Sequence, residues 1–237
     1  MKADAATTNA GSQTLSRGIR ILEILSEARE PLSIDQTAQH LGVHRSIAYR
    51  LVRTLEDHGL VTRDVGGRIQ LGARMAALAA GVAHDLQAEA LPELTSVANE
   101  LGMTCFLVVL DHQECVTLAS VEPRHAVAPL AQRPGTRHPV TVGAPGKAIL
   151  SALDRAQWPD DVGEDLVATL TIARERSYAT SRDEVIPSLR SVAVPVAVPG
   201  RQPAAIAVVY VASDHDDALI AERLQRSAGV IRDALGS

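Results

Sequence analysis

The chain has 237 residues, of which 46% are apolar, and a formal net charge of −5 at neutral pH. This length suits one large domain or two small ones, and the apolar fraction excludes wholesale disorder. The longest apolar run, at 204–212, has nine residues, about half of what a membrane-spanning helix needs. Because residues 1–11 also lack the apolar core of a signal peptide, we expect a soluble, cytoplasmic protein.

The composition also narrows the choice of partners. The five aromatic residues are too few for a surface that stacks single-stranded nucleic acid. Two cysteines are too few for a disulfide scaffold, which fits a reducing compartment. The charge is uneven, since residues 1–80 carry +2 and residues 81–237 carry −7. A slightly basic N-terminal region joined to an acidic C-terminal region is typical of a protein that binds a polyanion on one side.

The first third of the chain has the pattern of short helices followed by a hairpin. Apolar residues recur at helical spacing from Leu15, and Pro31 ends this pattern. Ser33 and Gln36 have the spacing of a capping box, and Gly42 can close the following helix in a left-handed conformation. The predicted elements are a disordered tail at 1–13, helices at 15–28, 34–42 and 44–58, and a hairpin of strands 60–64 and 68–71 that turns at the 66–67 Gly-Gly pair.

The rest of the chain has a mixed pattern, and we place the domain boundary at 74–84. Helices are predicted at 73–83 and 86–101. Beyond them, strands arrive as hairpins with helices interspersed, which favours an antiparallel sheet with helices packed on it, an α+β arrangement. The predicted strands are 103–111, 115–121, 126–132, 138–142, 190–198 and 204–212, and the predicted helices are 146–153, 164–176 and 216–235, with an acidic loop at 154–164.

Two helices joined by a short glycine-containing turn and followed by a hairpin outline a winged helix-turn-helix. In such a domain the second of these helices fits the major groove of duplex DNA, and the hairpin, or wing, lies near the phosphates. At 100° per residue, the polar side chains of helix 44–58 share a sector opposite its apolar stripe. We predict that this sector and the wing bind DNA through Arg45, Ser46, Tyr49, Arg50, Arg53, Arg63 and Arg68.

The chain resembles the IclR-type family of bacterial transcriptional regulators over about residues 14–235. In the first half the resemblance rests on TLSRGIRILE at 14–23, LSI at 32–34, LGV at 41–43, YRLVRTL at 49–55, GLV at 59–61 and LGAR at 71–74. In the second half it rests on GTRHPV at 135–140, GKAIL at 146–150, SYA at 177–179, DE at 183–184 and SVAVPV at 191–196.

The resemblance implies a winged helix-turn-helix domain at 14–73, a linker helix at 74–84, and a GAF-like α/β effector-binding and oligomerisation domain at 85–237. It further implies a ligand-responsive, sequence-specific regulator of a metabolic or catabolic operon. Such a protein binds a small-molecule effector and pairs as a homodimer or a dimer of dimers. A dimer in turn requires a pseudo-palindromic operator in double-stranded DNA.

The resemblance also places the effector near the Gly-Lys pair at 146–147, where backbone amides of the family hold small organic acids. Here those amides belong to Ala144 and Pro145, and proline has no N–H to donate. A carboxylate would be poorly compensated, so we predict an effector larger and more apolar than a two- or three-carbon acid. The candidate pocket residues are Val127, Leu130, Ala144, Ser181, Asp183, Ser191, Val208 and Tyr210.

Two other classes of function stay open at this point. One is a small-molecule sensor that acts through protein partners and carries a vestigial DNA-binding domain. The other is an enzyme built on the C-terminal domain, although the sequence has no nucleophile elbow, P-loop or dinucleotide motif. We expect no catalytic residues, no cofactor and no metal, because the set His112, Glu114, Cys115 and His125 lacks the tight spacing of a structural zinc site.

The two cysteines are not expected to form a disulfide switch. They flank a predicted turn near 111–114. In a hairpin centred on that turn, Cys115 faces about residue 110 rather than Cys105.

Overall fold

The computed structural model describes residues 12–124, 132–211 and 215–236. The chain divides into two compact units, of which the first ends at Val82 and the second begins at Ala83. The predictions that lie outside the described residues are those for positions 1–11 of the tail, for most of the strand at 126–132 with Val127 and Leu130, and for His125 of the set considered for a metal. Within the described ranges, no helix is long and apolar enough to cross a bilayer.

The first unit has the predicted order of helices and hairpin. Helix α1 begins two residues before the predicted start, inside the predicted tail, because the Ser12 hydroxyl accepts a hydrogen bond from the Leu15 N–H and caps it. The capping box at Ser33 and Gln36 is present, and Gly42 takes the left-handed conformation that ends the next helix. The elements are α1 Gln13–Glu27, α2 Ile34–Leu41, α3 Arg45–Asp57, β1 Val61–Arg63, β2 Ile69–Leu71 and α4 Arg74–Ala79.

The core of the first unit holds α3 in place. Ile21 of α1, Val52 of α3 and Ile69 of β2 are fully buried and belong to one apolar cluster. The backbone of Leu32 pairs with that of Ile69, which ties the segment before α2 to the hairpin. With its apolar stripe packed in this way, α3 presents its other side to solvent.

The apolar residues that predict α1 do not all face this core. Leu15 and Ile19 are 64% and 49% exposed, whereas Ile21 and Ile24 are buried. The sequence carries two apolar stripes on this helix, and its periodicity alone does not say which one packs.

The linker helix is shorter than predicted. Helix α4 ends at Ala79, and the chain turns before α5 begins at His84. The turn ends at Ala83, whose backbone is left-handed with φ of 44°. A single helix through 74–84 is therefore incorrect, because the left-handed residue interrupts the helical hydrogen bonds.

The second unit is a six-stranded antiparallel sheet with helices on both faces. The strand order is β5-β4-β3-β8-β7-β6. Strand β6 was not predicted, since it has four residues and only one of them is buried. The elements are α5 His84–Leu101, β3 Thr104–Asp111, β4 Glu114–Val121, β5 Arg137–Pro139, α6 Gly143–Ala152, a 3₁₀ turn Arg155–Gln157, α7 Glu164–Arg176, β6 Ala179–Arg182, β7 Leu189–Val196, β8 Ala204–Val211 and α8 Asp217–Leu235.

The central strand β8 is buried on both faces. Its even-numbered residues, such as Ile206 and Val208, join the core beneath α5 and α8. Its odd-numbered residues, Ala205, Ala207 and Val209, join the core beneath α6 and α7. Side chains alternate along a strand, so a shift of one residue exchanges the two faces.

The register of the β3–β4 hairpin separates the two cysteines. Cys115 lies opposite Leu110 and Cys105 lies opposite Val121, as the turn position predicts. Both thiols are buried, and burial raises the pKa of Cys115 to about 12 and the pKa of Cys105 further above its ordinary value. These protonated, separated thiols do not form a disulfide in this fold.

Helix α6 begins three residues before the predicted start, and its first turn explains an unusual Gly-Ala-Pro-Gly run. Pro145 is the third residue of the helix, where its missing N–H costs no intrahelical hydrogen bond. Gly146 lies so close to the preceding segment that a β-carbon there would come within 2.0 Å of the Val140 carbonyl oxygen. The run is thus a tightly packed helix start.

We expect Gly146→Ala to destabilise the second unit by roughly 1–3 kcal/mol or more, because the added methyl group overlaps backbone atoms that cannot move alone. Gly229→Ala is the matched control, since a β-carbon at this position of α8 meets only the end of the Arg232 side chain, at 3.8 Å. That control should be neutral or more stable by up to about 1 kcal/mol. Calorimetric melting of both variants tests the contact, and equal melting temperatures would contradict it.

Candidate DNA-binding surface and effector cavity

The outward face of α3 is a basic surface, as predicted. Ser46, Tyr49, Arg50 and Arg53 are all exposed. Within the part of the chain that the structure describes, neither Arg50 nor Arg53 forms an ion pair. An unpaired guanidinium keeps all five donors for a guanine edge or a phosphate, so this face suits a DNA groove.

Two residues at the start of α3 are engaged with their neighbours. Arg45 forms an ion pair with Asp35 of α2 at 2.9 Å, and both side chains are more than 60% exposed. The Ser46 hydroxyl lies 2.9 Å from Nδ1 of His44, the residue that caps the helix. Exposed pairs of this kind are worth little free energy, so both residues can exchange their partners for a phosphate.

The wing is a hairpin whose turn is organised by Asp64. Its carboxylate accepts hydrogen bonds from the backbone N–H groups of Gly66 and Arg68 at 2.9 and 2.8 Å. The side chain of Arg68 is about half exposed, with its nearest carboxylate, Glu30, 4.0 Å away. Arg68 therefore stands at the end of the wing, where the sequence predicts a phosphate contact.

Arg63 has a different environment from the one predicted. Its Nε and one terminal nitrogen donate to the Glu56 carboxylate at 2.8 and 3.2 Å, and the other donates to the Gly67 carbonyl at 3.2 Å. Both side chains are about 30% exposed or less. These contacts tie α3 to the wing, and a phosphate would have to compete with them. The predicted phosphate contact of Arg63 stays a prediction.

Sequence reasoning missed Arg17. This residue of α1 lines the same groove as Arg50 and Arg53 of α3, together with Asp57. Three guanidinium groups against one carboxylate extend the basic surface beyond α3. The sequence offered no signal for this, because Arg17 lies more than 30 positions away and only the packing of α1 on α3 brings the groups together.

The second unit contains a cavity between the sheet and the first turn of α6. Ser181, Ser191 and Val209 are cross-strand neighbours on β6, β7 and β8 and form part of its wall, with Phe106 of β3 beside them. Ala144 lines it from α6. Three of the predicted effector residues, Ala144, Ser181 and Ser191, therefore line one cavity.

Three other predicted effector residues do not line it. Val208 and Tyr210 lie on the opposite face of the sheet, in the core beneath α5 and α8. The Tyr210 hydroxyl donates to Asp217, and burial with this hydrogen bond raises the pKa of the phenol. Val209, the residue of β8 between them, lines the cavity instead, and the predicted roles of Val208 and Tyr210 stay predictions. Asp183 accepts a hydrogen bond from the Ser188 N–H and holds the loop between β6 and β7.

A carboxylate of the protein itself occupies the start of α6. Glu184 accepts a hydrogen bond from the Gly143 N–H at 2.9 Å and an ion-paired one from the Lys147 ammonium at 2.5 Å. Lys147 is 9% exposed, and a cation this deeply buried needs such a partner. Glu184 thus satisfies an N-terminal amide of the helix and neutralises Lys147.

The cavity has an internal volume of about 40 Å³, and one side of it opens to solvent. This volume holds a few water molecules or one compact chemical group. Val185 and Ile186 of the 183–188 loop form the outer wall, and both side chains are 46% exposed. The larger effector that the sequence predicts would also have to fill the mouth or move this wall outward.

Two family models match the chain. The model described as the IclR helix-turn-helix domain matches residues 14–65, and the model described as the bacterial transcriptional regulator IclR C-terminal domain matches residues 79–160. The protein named probable transcriptional regulator SauR, from Cupriavidus necator, is 31% identical over 207 residues, which cover 80% of this chain and 82% of that protein.

Solved structures share the whole fold. An IclR-type transcriptional regulator from Alicyclobacillus acidocaldarius is 28% identical and superposes with a TM-score of 0.81 over 95% of this chain and all of that one. An IclR homologue from Microbacterium hydrocarbonoxydans, crystallised in complex with 4-hydroxybenzoate, is 25% identical with a TM-score of 0.81 over 94% and 99% of the two chains.

The contacts of Arg63 predict energetic coupling with Glu56. In a double-mutant cycle, Arg63→Ala and Glu56→Ala should show a coupling of about 0.5–1 kcal/mol in the stability of the first unit, because each removes the same part-buried ion pair. Arg50→Ala, an exposed arginine on the same helix, should change that stability by less than about 0.5 kcal/mol. Hydrogen exchange of the core amides near Val52 measures both, and additive single effects would show that the pair carries no energy.

Proposed function

Because this chain belongs to the IclR family of bacterial transcriptional regulators, we propose that it binds a pseudo-palindromic operator as a homodimer or a dimer of dimers. The chain is a DNA-binding regulator, and the matched helix-turn-helix model disfavours a sensor that acts only through protein partners. The observation that carries the proposal is the exposed face of α3, where Tyr49 is exposed and Arg50 and Arg53 form no ion pair among the described residues.

The proposed contacts divide into two kinds. Side chains on α3 face the major groove, where a bidentate arginine reads a guanine. Arg68 on the wing and Arg17 in the groove beside α3 are proposed to contact phosphates. Arg45 and Ser46 lie at the first turn of α3, at the end of the helix that enters a groove first in related folds.

The effector is proposed to bind in the cavity beside α6. Support comes from the convergence of Ala144, Ser181 and Ser191 there and from the bound 4-hydroxybenzoate of the Microbacterium relative. An effector that prefers one arrangement of the paired DNA-binding domains changes operator affinity, and by linkage the operator changes effector affinity equally. The regulated genes are proposed to be those of a metabolic or catabolic operon.

Selection of duplex DNA from a random pool at ~150 mM salt tests operator binding, because this salt concentration suppresses non-specific contacts. We expect enrichment of a pseudo-palindrome with half-sites about one helical turn apart or a multiple of it. Against that sequence, Arg50→Ala or Arg53→Ala should cost about 1–3 kcal/mol of binding and relax one base position.

Two further variants show whether the loss of binding is specific to base contacts. Arg68→Ala should weaken all sequences similarly and reduce the salt slope by about one unit, because it removes a phosphate contact. Arg226→Ala, an exposed arginine on α8, should leave DNA binding unchanged. Equal losses from Arg50→Ala and Arg68→Ala would contradict the division between base and phosphate contacts.

A thermal-shift screen of organic acids and phenols tests the cavity. Compounds that stabilise the protein should lose this effect in Val209→Phe, because the ring fills the space beside Ser191. Val230→Phe, on an exposed position of α8, is the matched control and should keep the response. Stabilisation that survives Val209→Phe would place the effector elsewhere, and stabilisation only by glyoxylate-sized acids would contradict the larger, more apolar effector.

A further inference from the structure

His138 presents an unsatisfied nitrogen to the cavity beside α6. It belongs to strand β5, is 9% exposed and lines the cavity. Its ring lies against the first turn of α6, since a β-carbon at Gly143 would be 3.5 Å from Cε1 of His138. Every fully inaccessible side-chain nitrogen or oxygen in the described residues has a hydrogen-bond partner. Nε2 of His138 has none there, so it keeps some accessibility, and it is bonded to Cε1 on the side of the ring that lies against α6 and the cavity.

The other ring nitrogen determines what Nε2 can do. Nδ1 lies 3.1 Å from the carbonyl oxygen of Pro139. A carbonyl oxygen only accepts, so Nδ1 carries the proton and donates it. In the neutral imidazole Nε2 then has a lone pair and no hydrogen. His138 therefore offers the cavity a hydrogen-bond acceptor.

The charges around the cavity disfavour an anionic group beside His138. Among the described lining residues the charged ones are Glu184 and Arg190. The Arg190 guanidinium is held by Asp217 at 2.6 Å, and the Lys147 ammonium is neutralised by Glu184 and does not line the cavity. A carboxylate placed there would find no free cation among the described lining residues to compensate it.

The other polar groups at the cavity include the Ser181 and Ser191 hydroxyls, the Gln132 amide and the Ala144 N–H, and this set suits a group that both donates and accepts. The Ser191 hydroxyl already donates to the Val208 carbonyl at 2.8 Å, so it has only acceptor capacity left. The Ala144 N–H, in the first turn of α6, has no acceptor among the described residues. A hydroxyl can accept from such an N–H and donate to an imidazole nitrogen at the same time, whereas a carboxylate has no hydrogen to donate.

We propose that His138 is a specificity-determining residue that accepts a hydrogen bond from an uncharged hydroxyl group of the effector. This inference rests on the proposed function, in which the cavity beside α6 holds the effector. Sites built to bind a hydroxyl reject analogues without it strongly, because the buried polar atoms of the site are then left unpaired. The effector class is thus a hydroxylated molecule with an apolar body that faces Val185 and Ile186.

The binding of three ring compounds to the parent protein tests the preference for a hydroxyl group without any substitution in the chain. Phenol carries a hydroxyl, anisole replaces its hydrogen with a methyl group, and benzoate carries a carboxylate. We expect phenol to bind the full-length protein at least tenfold more tightly than anisole or benzoate at pH 8, where histidine is ordinarily neutral. Titration followed by ¹⁵N NMR of the histidine side chains should show the Nε2 signal of His138 moving with phenol only.

His138→Leu should weaken phenol binding at least tenfold and reduce it to the level of anisole. The control, His84→Leu, changes an exposed histidine at the start of α5 and should bind phenol as the parent protein does. Melting curves establish that both variants fold. If His138→Leu does not fold, the comparison of phenol with anisole in the parent protein and the Nε2 signal decide the question.

The outcomes distinguish this inference from the proposed function. Equal or tighter binding of benzoate or anisole in the cavity would overturn the hydroxyl preference and leave the effector cavity standing. A phenol preference that persists in folded His138→Leu would overturn the assignment of His138. Binding of none of the three compounds, or binding that perturbs only residues away from α6, would overturn both the inference and the proposed effector cavity.

Discussion

The alternation of side chains in the central strand β8 is the constraint on which the second unit depends. Both faces of this strand are buried, so even-numbered residues build one core and odd-numbered residues build the other. The same parity decides which side chains reach the cavity. Val209 lies there with Ser191 opposite, while Val208 and Tyr210 pack beneath α5 and α8. An apolar strand such as this gives no sequence signal for its parity, since both kinds of position are equally hydrophobic.

The first turn of α6 connects that sheet to the chemistry of the cavity. Gly146 permits the close approach to Val140, and Pro145 occupies a position that needs no N–H. Glu184 and Lys147 then neutralise each other beside the cavity. An anion site that the helix start would otherwise offer is thereby filled by the protein itself, while His138, Ser181 and Ser191 are among the polar residues that line the cavity beside it.

On the first unit, ion pairs decide which arginines remain available for DNA. Arg63 is committed to Glu56 and joins α3 to the wing, whereas Arg50 and Arg53 have no acidic partner in the described part of the unit. Arg17 joins them only because α1 packs on α3. Rigid placement of α3 by its buried stripe and free guanidinium groups on its other side are the two properties that groove recognition requires.

The sequence by itself determined the local structure that depends on neighbouring residues. Helical periodicity, the Ser33–Gln36 capping box, Gly42 and the Gly-Gly turn of the wing predicted the elements of the first unit, because caps and turns act within a few residues. The hairpin register at Cys115 followed from its turn in the same way. What only the tertiary structure decided involves contacts between elements: the exposed stripe of α1, the parity of β8, the pairing of Arg63 on the wing with Glu56 on α3, and the approach of Glu184 to α6. The first two depend on which of two similar faces packs, and the last two on which elements the core brings together, so the whole core sets them rather than local sequence.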